Sequence, residues 1–258
     1  MCELFGLCSS RRVGVHDYLR EFFSHSEQHC HGWGLALFYG DGVSLEKEPL
    51  CANSSEYLKQ RMRGGLEAAN MIAHIRLASV GRLFYENTHP FVGRDNRGGC
   101  WTLAHNGTIF DGTLTDCFTD RQTGQTDSER ILMLIIDRVN ALQNNLHRKL
   151  EADEKAQLLD KLIAELSVRN KLNLLVWDGE RMYVHTNYAD TLFSCRICGD
   201  GILFSTHPLS GEEWQPVPMR QLRIYEEGRL MYEGHFRGQE YFDPEPNYEY
   251  RNLDYAAL

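Results

Sequence analysis

The sequence has no apolar run long enough to cross a bilayer. Its longest uninterrupted aliphatic stretch, residues 131–136, falls far short of the roughly 20 residues a membrane helix needs. It has no excess of positive charge either: 27 Lys and Arg stand against 36 Asp and Glu, a formal charge of −9. Binding along a phosphate backbone depends on cationic side chains neutralising phosphates, so nucleic acid is not an expected partner. No secretory leader is expected either. In Met1-Cys2-Glu3-Leu4-Phe5 the acid comes third, and Arg11 and Arg12 follow the apolar stretch instead of preceding it. A cytoplasmic protein without a membrane segment is expected. No repeat, low-complexity tract or Pro/Ser linker divides the chain, so a single domain over residues 1–258 is expected.

What is present fits a soluble globular enzyme: 42% hydrophobic and 24% charged residues. Eight cysteines (Cys2, Cys8, Cys30, Cys51, Cys100, Cys117, Cys195 and Cys198) would suggest a disulfide framework in a small secreted protein. In a chain of this length without an export signal they read as reduced thiols, most of them small buried hydrophobes. Cys195 and Cys198 form a CxxC, but no second pair completes a zinc site, so they read as structural. His25, His29, Cys30 and His31 resemble metal ligands by spacing, yet they lead into Gly32-Trp33-Gly34 and form no complete ligand set. No metal and no cofactor is expected.

The local pattern is mixed. Residues 2–9 read as an apolar strand and 15–23 as a helix. Strands at 34–38 and 43–46 flank a turn containing Asp41-Gly42. A short helix over 54–62 is capped by Ser54 or Ser55, and buried strands follow at 71–75 and 101–104. Thr126-Asp127-Ser128-Glu129 has the form of a capping box, threonine followed three residues later by glutamate, leading into the apolar run. That helix should continue to about residue 142, and a second should cover 154–168. Three hairpins close the chain, around Asp178-Gly179, Gly199-Asp200-Gly201 and Glu227-Gly228. Runs of strands interrupted by paired helices give an α+β class with mainly antiparallel sheets. Several strands are apolar on both faces, so the sheets should be covered on both sides.

The chemistry begins at Met1-Cys2. Initiator methionine is normally removed before a small residue, and that removal leaves a thiol and an α-amine on one residue. The amine titrates at about 7.7–8.0 and the thiol at about 8.5, so the amine can accept the thiol proton near neutrality. By itself Met-Cys reads as an ordinary strand start. Its companions are Ala73-His74-Ile75-Arg76-Leu77-Ala78-Ser79, Asn87-Thr88-His89-Pro90-Phe91, Ala104-His105-Asn106-Gly107 and the capped Asp127.

Taken in order with Cys2, these segments closely resemble the glutaminase domain of class II, N-terminal-nucleophile glutamine amidotransferases, in particular its stand-alone members. The resemblance runs from Cys2 to Glu129 and continues more weakly through Pro208-Leu209 and Trp214. It implies the four-layer αββα sandwich of N-terminal-nucleophile hydrolases. It also implies that Cys2 is the nucleophile and that the Asn106 amide and Gly107 N–H form an oxyanion hole. Arg76 is expected to pair with a substrate α-carboxylate, Asp127 to receive its α-ammonium, and Ser79 to contact substrate where relatives carry threonine. Val80 departs from a histidine common in synthase-linked members. His74, His89, His105 and His207 read as scaffold.

The implied partner is glutamine or another γ-glutamyl small molecule. Either ammonia passes to a separate synthase subunit, or the protein simply hydrolyses a γ-glutamyl amide, and the lack of room for a synthase domain favours hydrolysis. An oligomer is compatible with either reading. The rival is a catalytically silent sensor of glutamine or a γ-glutamyl metabolite, which would keep Arg76 and Asp127 without needing Cys2, Asn106 and Gly107.

Overall fold

The structure, a computed structural model, describes residues 2–40, 42–78, 81–197 and 200–243. The chain opens with β1 (Glu3–Gly14), α1 (His16–Ser24) and the hairpin β2 (Trp33–Tyr39) and β3 (Gly42–Glu48). After α2 (Glu56–Arg63) come β4 (Glu67–Ile75), β5 (Phe91–Arg94) and β6 (Cys100–Thr108). Two helices follow, α3 (Asp127–Leu146) and α4 (Ala152–Leu166). The rest is β: β7 (Lys171–Trp177), β8 (Met182–Thr186), β9 (Phe193–Ile197), β10 (Gly201–Ser205), β11 (Gln215–Pro216), β12 (Arg223–Glu226) and β13 (Arg229–Glu233).

The strands form two sheets, ordered β11-β9-β10-β1-β4-β2-β3 and β13-β12-β8-β7-β6-β5. Every described pairing is antiparallel. Successive side chains on a strand point to opposite faces, so each strand divides its residues between two cores. Leu4, Cys8, Ala36 and Ile72 of the first sheet pack against Ala104, Leu175, Trp177 and Val184 of the second. The alternate residues Phe5, Leu7, Leu35, Met71, Ala73 and Ile75 pack with Leu19, Phe22 and Leu58 of α1 and α2. On the far side, Trp101, Leu103, Leu172, Leu174 and Val176 pack with Ile131, Leu134, Ile135, Leu159 and Ile163 of α3 and α4. This is the expected α+β four-layer sandwich. It explains why the central strands are apolar on both faces.

Some local expectations need correction. Ser55, not Ser54, caps α2, its hydroxyl accepting the Leu58 N–H at 2.9 Å. Thr126 does cap α3, accepting the Glu129 N–H at 3.2 Å. Glu129, however, does not complete the box. Its carboxylate accepts the N–H groups of Thr123 and Gly124 at 2.7 and 2.8 Å, tying down the preceding loop. Strand β5 starts at Phe91, where no strand was expected from the sequence. The seven described cysteines are free thiols, and Cys198 lies outside the described residues. No described helix is long and apolar enough to cross a membrane.

Gly34 marks where the backbone of β2 meets the segment leading into β5. A Cβ there would stand 2.0 Å from the His89 carbonyl oxygen and 2.9 Å from Pro90 Cδ. Backbone at that distance cannot yield as a flexible side chain would. Gly34→Ala should therefore destabilise the fold by about 3 kcal/mol, read as a lower denaturant midpoint, and an unchanged midpoint would contradict this packing.

Candidate active site

The two sheets bring their active ends together through register. Glu3 pairs with Ile75 across β1 and β4, so Cys2 and Arg76 lie side by side just beyond the ladder. Cys2 continues the alternation of Leu4, and Arg76 that of Ile72 and His74, which turns both toward the gap between the sheets. Asn106 of β6 shares the parity of Ala104 and faces the same gap from the opposite sheet.

The Cys2 thiol is held by the backbone of one residue. Sγ lies 3.3 Å from the Leu77 carbonyl, to which it donates, and 3.3 Å from the Leu77 N–H, which it accepts. Burial raises the thiol pKa. The Leu77 N–H and the Arg76 charge oppose that rise, and Asp127 adds to it. Arg76 is itself buried and its pKa is lowered by desolvation, with the Cys2 and Asp127 charges acting in the other direction. Cys2, Arg76 and Asp127 are thus within electrostatic reach of one another, as their proposed roles require. The Arg76 guanidinium donates to the carbonyls of Gly81 at 3.0 Å and Arg82 at 3.2 Å, which fixes the plane of its fork.

The strand read at 101–104 extends further: β6 runs through Asn106 and Gly107 near its end, pairing Asn106 with Asn173 and Gly107 with Leu172 of β7. The strand continues because β7 supplies ladder partners as far as Thr108. Asn106 is buried, and its Oδ1 has no hydrogen-bond partner among the described residues. Gly107 must be glycine, because a Cβ would lie 1.9 Å from the Lys171 carbonyl oxygen and 2.5 Å from His105 Nε2.

His105 explains how α3 is aligned with this strand. Its Nε2 faces the Lys171 carbonyl at 3.1 Å and therefore donates, leaving Nδ1 to accept from the Ser128 hydroxyl at 2.9 Å. Burial lowers its pKa, in keeping with this neutral form. Ser128 follows Asp127 in the first turn of α3. Asp127 accepts the Ile109 N–H at 2.8 Å on Oδ2 and the Ser128 N–H at 2.8 Å on Oδ1. The helix dipole favours a carboxylate at this position.

The structure brings Cys2, Arg76 and Asp127 together and places Asn106 and Gly107 at the facing strand end. Ser79 and Val80 lie outside the described residues. The Leu77 backbone, Ile109 and Ser128 were not singled out from sequence. Leu77 acts only through its main chain and leaves no side-chain signal. Among the described residues no group of three or more His, Cys, Asp or Glu side chains could hold a metal ion. The histidine-rich turn is used otherwise: His25 Nδ1 lies 2.8 Å from the buried Glu3 carboxylate, His29 Nδ1 3.5 Å and His207 Nε2 3.7 Å.

Comparison with known proteins shows the family and the fold. Residues 1–197 match the sequence profile of the class-II glutamine amidotransferases. The chain belongs to that family. It is 29% identical over 262 aligned residues to an uncharacterized protein of Methanocaldococcus jannaschii, covering 90% of this chain and 71% of that one. It is 26% identical to YafJ of Escherichia coli K12, covering 87% and 97%. A crystal structure described as a predicted glutamine amidotransferase from Pseudomonas aeruginosa superimposes with a TM-score of 0.64 at 21% identity, over 90% of this chain and all of that one. The glutamine phosphoribosylpyrophosphate amidotransferase of Bacillus subtilis superimposes with a TM-score of 0.65 at 18% identity, over 89% of this chain and 48% of that one.

In a polypeptide that keeps Met1, the Cys2 nitrogen is an amide and cannot act as a base, so the half-buried thiol should stay protonated at neutral pH. We expect iodoacetamide labelling of Cys2 in that form to keep accelerating above about pH 9, the thiolate appearing only above the ordinary thiol range. A rate that levels off below about pH 8.5 would contradict the burial effect.

Proposed function

We propose that this protein is an amidohydrolase that cleaves the γ-carboxamide of glutamine or of a γ-glutamyl amide through a thioester on Cys2. The observation that carries the reading is the Cys2 thiol, held by the Leu77 backbone within electrostatic reach of Arg76 and Asp127.

Substrate enters with its α-carboxylate on the Arg76 fork and its α-ammonium on Asp127. Arginine suits the first task because its planar pair of N–H donors matches a carboxylate at two points. The Cys2 α-amine, exposed once Met1 is removed, takes the thiol proton, and the sulfur attacks the amide carbon. The oxyanion that forms is held by the Asn106 carboxamide and the Gly107 N–H, neutral donors fixed in place before the reaction. Each such donor is worth about 3 kcal/mol. Collapse of the intermediate breaks the C–N bond, and the amine leaves with a proton from the α-ammonium of Cys2. Water then attacks the thioester, glutamate is released and the thiol is restored.

A silent sensor would need only Arg76 and Asp127; the presence of Cys2, Asn106 and Gly107 beside them favours the amidohydrolase. Arg76 and Asp127 read only the amino-acid end of the substrate. The group on the amide nitrogen is open to variation, and delivery of ammonia to a separate synthase subunit is the variant in which that group is hydrogen.

Cys2→Ala should abolish glutamate release from glutamine and from a panel of γ-glutamyl amides, while glutamate itself still binds. Release that survives the change would remove the mechanism. Arg76→Lys should raise KM by about tenfold or more, the cost of one charge-assisted two-point contact, with a smaller fall in kcat. An unchanged KM would count against the carboxylate role.

A further inference from the structure

The turn that follows α1 carries His25, His29 and His31, and none of these takes part in the reaction above. Each is nonetheless tied to a strand end that frames the nucleophile. His25 Nδ1 hydrogen-bonds the carboxylate of Glu3, the residue directly after Cys2, and His29 Nδ1, bonded to the His25 carbonyl at 3.1 Å, lies 3.5 Å from the same carboxylate. His31 holds the other side. The Ala78 N–H donates to His31 Nδ1 at 2.8 Å, in a bond buried from solvent. The His31 N–H donates to the Arg76 carbonyl at 3.0 Å, and the Arg76 N–H donates to the Gly32 carbonyl at 2.8 Å. Three hydrogen bonds therefore fix residues 76–78 to residues 31–32. This is the segment whose side chain at 76 is the proposed carboxylate fork and whose backbone at 77 touches Sγ on both its N–H and its carbonyl.

We propose that His31 is a positioning residue: its neutral ring, accepting the Ala78 N–H through Nδ1, sets the backbone that cradles the Cys2 thiol and aims Arg76. The inference rests on the amidohydrolase reading and adds a requirement to it, an acceptor at one fixed point. Only Nδ1 can be that acceptor, so the proton of the neutral ring sits on Nε2. A doubly protonated ring would turn an N–H toward the Ala78 N–H and break the bond. Among the described residues, the titratable and charged groups that act on His31 are Arg76 from the end of β4 and His29 from the same turn. Burial lowers the His31 pKa first, and the charges of Arg76 and His29 lower it further. The three influences agree in sign, so the acceptor form holds at neutral pH and is lost as the pH falls through a value below the ordinary histidine range.

Two substitutions separate the acceptor from the ring. Asparagine places Oδ1 close to where histidine places Nδ1 and does not titrate, whereas leucine fills the space with no acceptor. In the processed enzyme at about pH 7.5, where an ordinary histidine is neutral, His31→Leu should lose at least about tenfold in kcat/KM, equivalent to roughly 1.4 kcal/mol. His31→Asn should stay within about threefold of the parent, under 1 kcal/mol on the same scale. Glutamate binding to the Cys2→Ala protein supplies a second readout, free of thiol chemistry. Affinity should fall between about pH 7.5 and pH 5, a window spanning the ordinary histidine pKa and values below it, and that fall should vanish when His31→Asn is added. The inference is overturned if leucine is as active as histidine, if asparagine is as damaging as leucine, or if the acid loss of affinity survives in the asparagine protein. Should the leucine protein not fold, the asparagine and binding results decide alone. Failure of the parent enzyme to release glutamate from any γ-glutamyl amide would count against the amidohydrolase reading; an active parent matched by His31→Leu would count against His31 alone.

Discussion

The site depends on strand register. One-residue alternation sends Leu4, Ile72 and Ala104 into the gap between two sheets, and the same alternation carries Cys2, Arg76 and Asn106 to the mouth of that gap. A slip of one residue in β1 or β4 would turn the thiol or the guanidinium into the helical layer and leave nothing to meet Asn106. The large cores on both faces of each sheet therefore have a role beyond stability. They make the slipped registers costly, because each would push a full row of apolar side chains out of its core.

Within that frame the main chain does much of the chemical work. Leu77 offers both its N–H and its carbonyl to sulfur, the Gly81 and Arg82 carbonyls orient Arg76, and the Ile109 N–H orients Asp127. Gly107 brings its backbone so close to Lys171 and His105 that no side chain fits there. Buried histidines serve as neutral connectors, His105 between α3, β6 and β7, and His31 between the turn after α1 and residues 76–78. Imidazole suits such places because a single ring both donates and accepts, and burial keeps it uncharged.

Much of the fold was legible in the sequence, for identifiable reasons. The hairpins around residues 178–179 and 227–228 carry turn dipeptides between alternating apolar residues, and β7, β8, β12 and β13 form there. Thr126 marked the start of α3 because a cap acts within three residues of chain. The features that escaped depend on distant partners. The strand read at 101–104 runs on through Asn106-Gly107 because β7, more than sixty residues later, supplies ladder partners. Glu129 reads as the second half of a capping box until the loop at Thr123 and Gly124 takes its carboxylate. What His25, His29 and His31 do was equally hidden, because sequence shows the ring types and conceals that Glu3, the His25 carbonyl and the Ala78 N–H are their partners.

The central claim concerns one sulfur and one amine on the first residue of the mature chain. Stopping turnover with acid and sequencing the protein by mass spectrometry tests it most directly. The account predicts a γ-glutamyl group in thioester linkage on a chain that begins at Cys2. A γ-glutamyl adduct on any other cysteine, or full turnover by a chain that still begins with methionine, would contradict it.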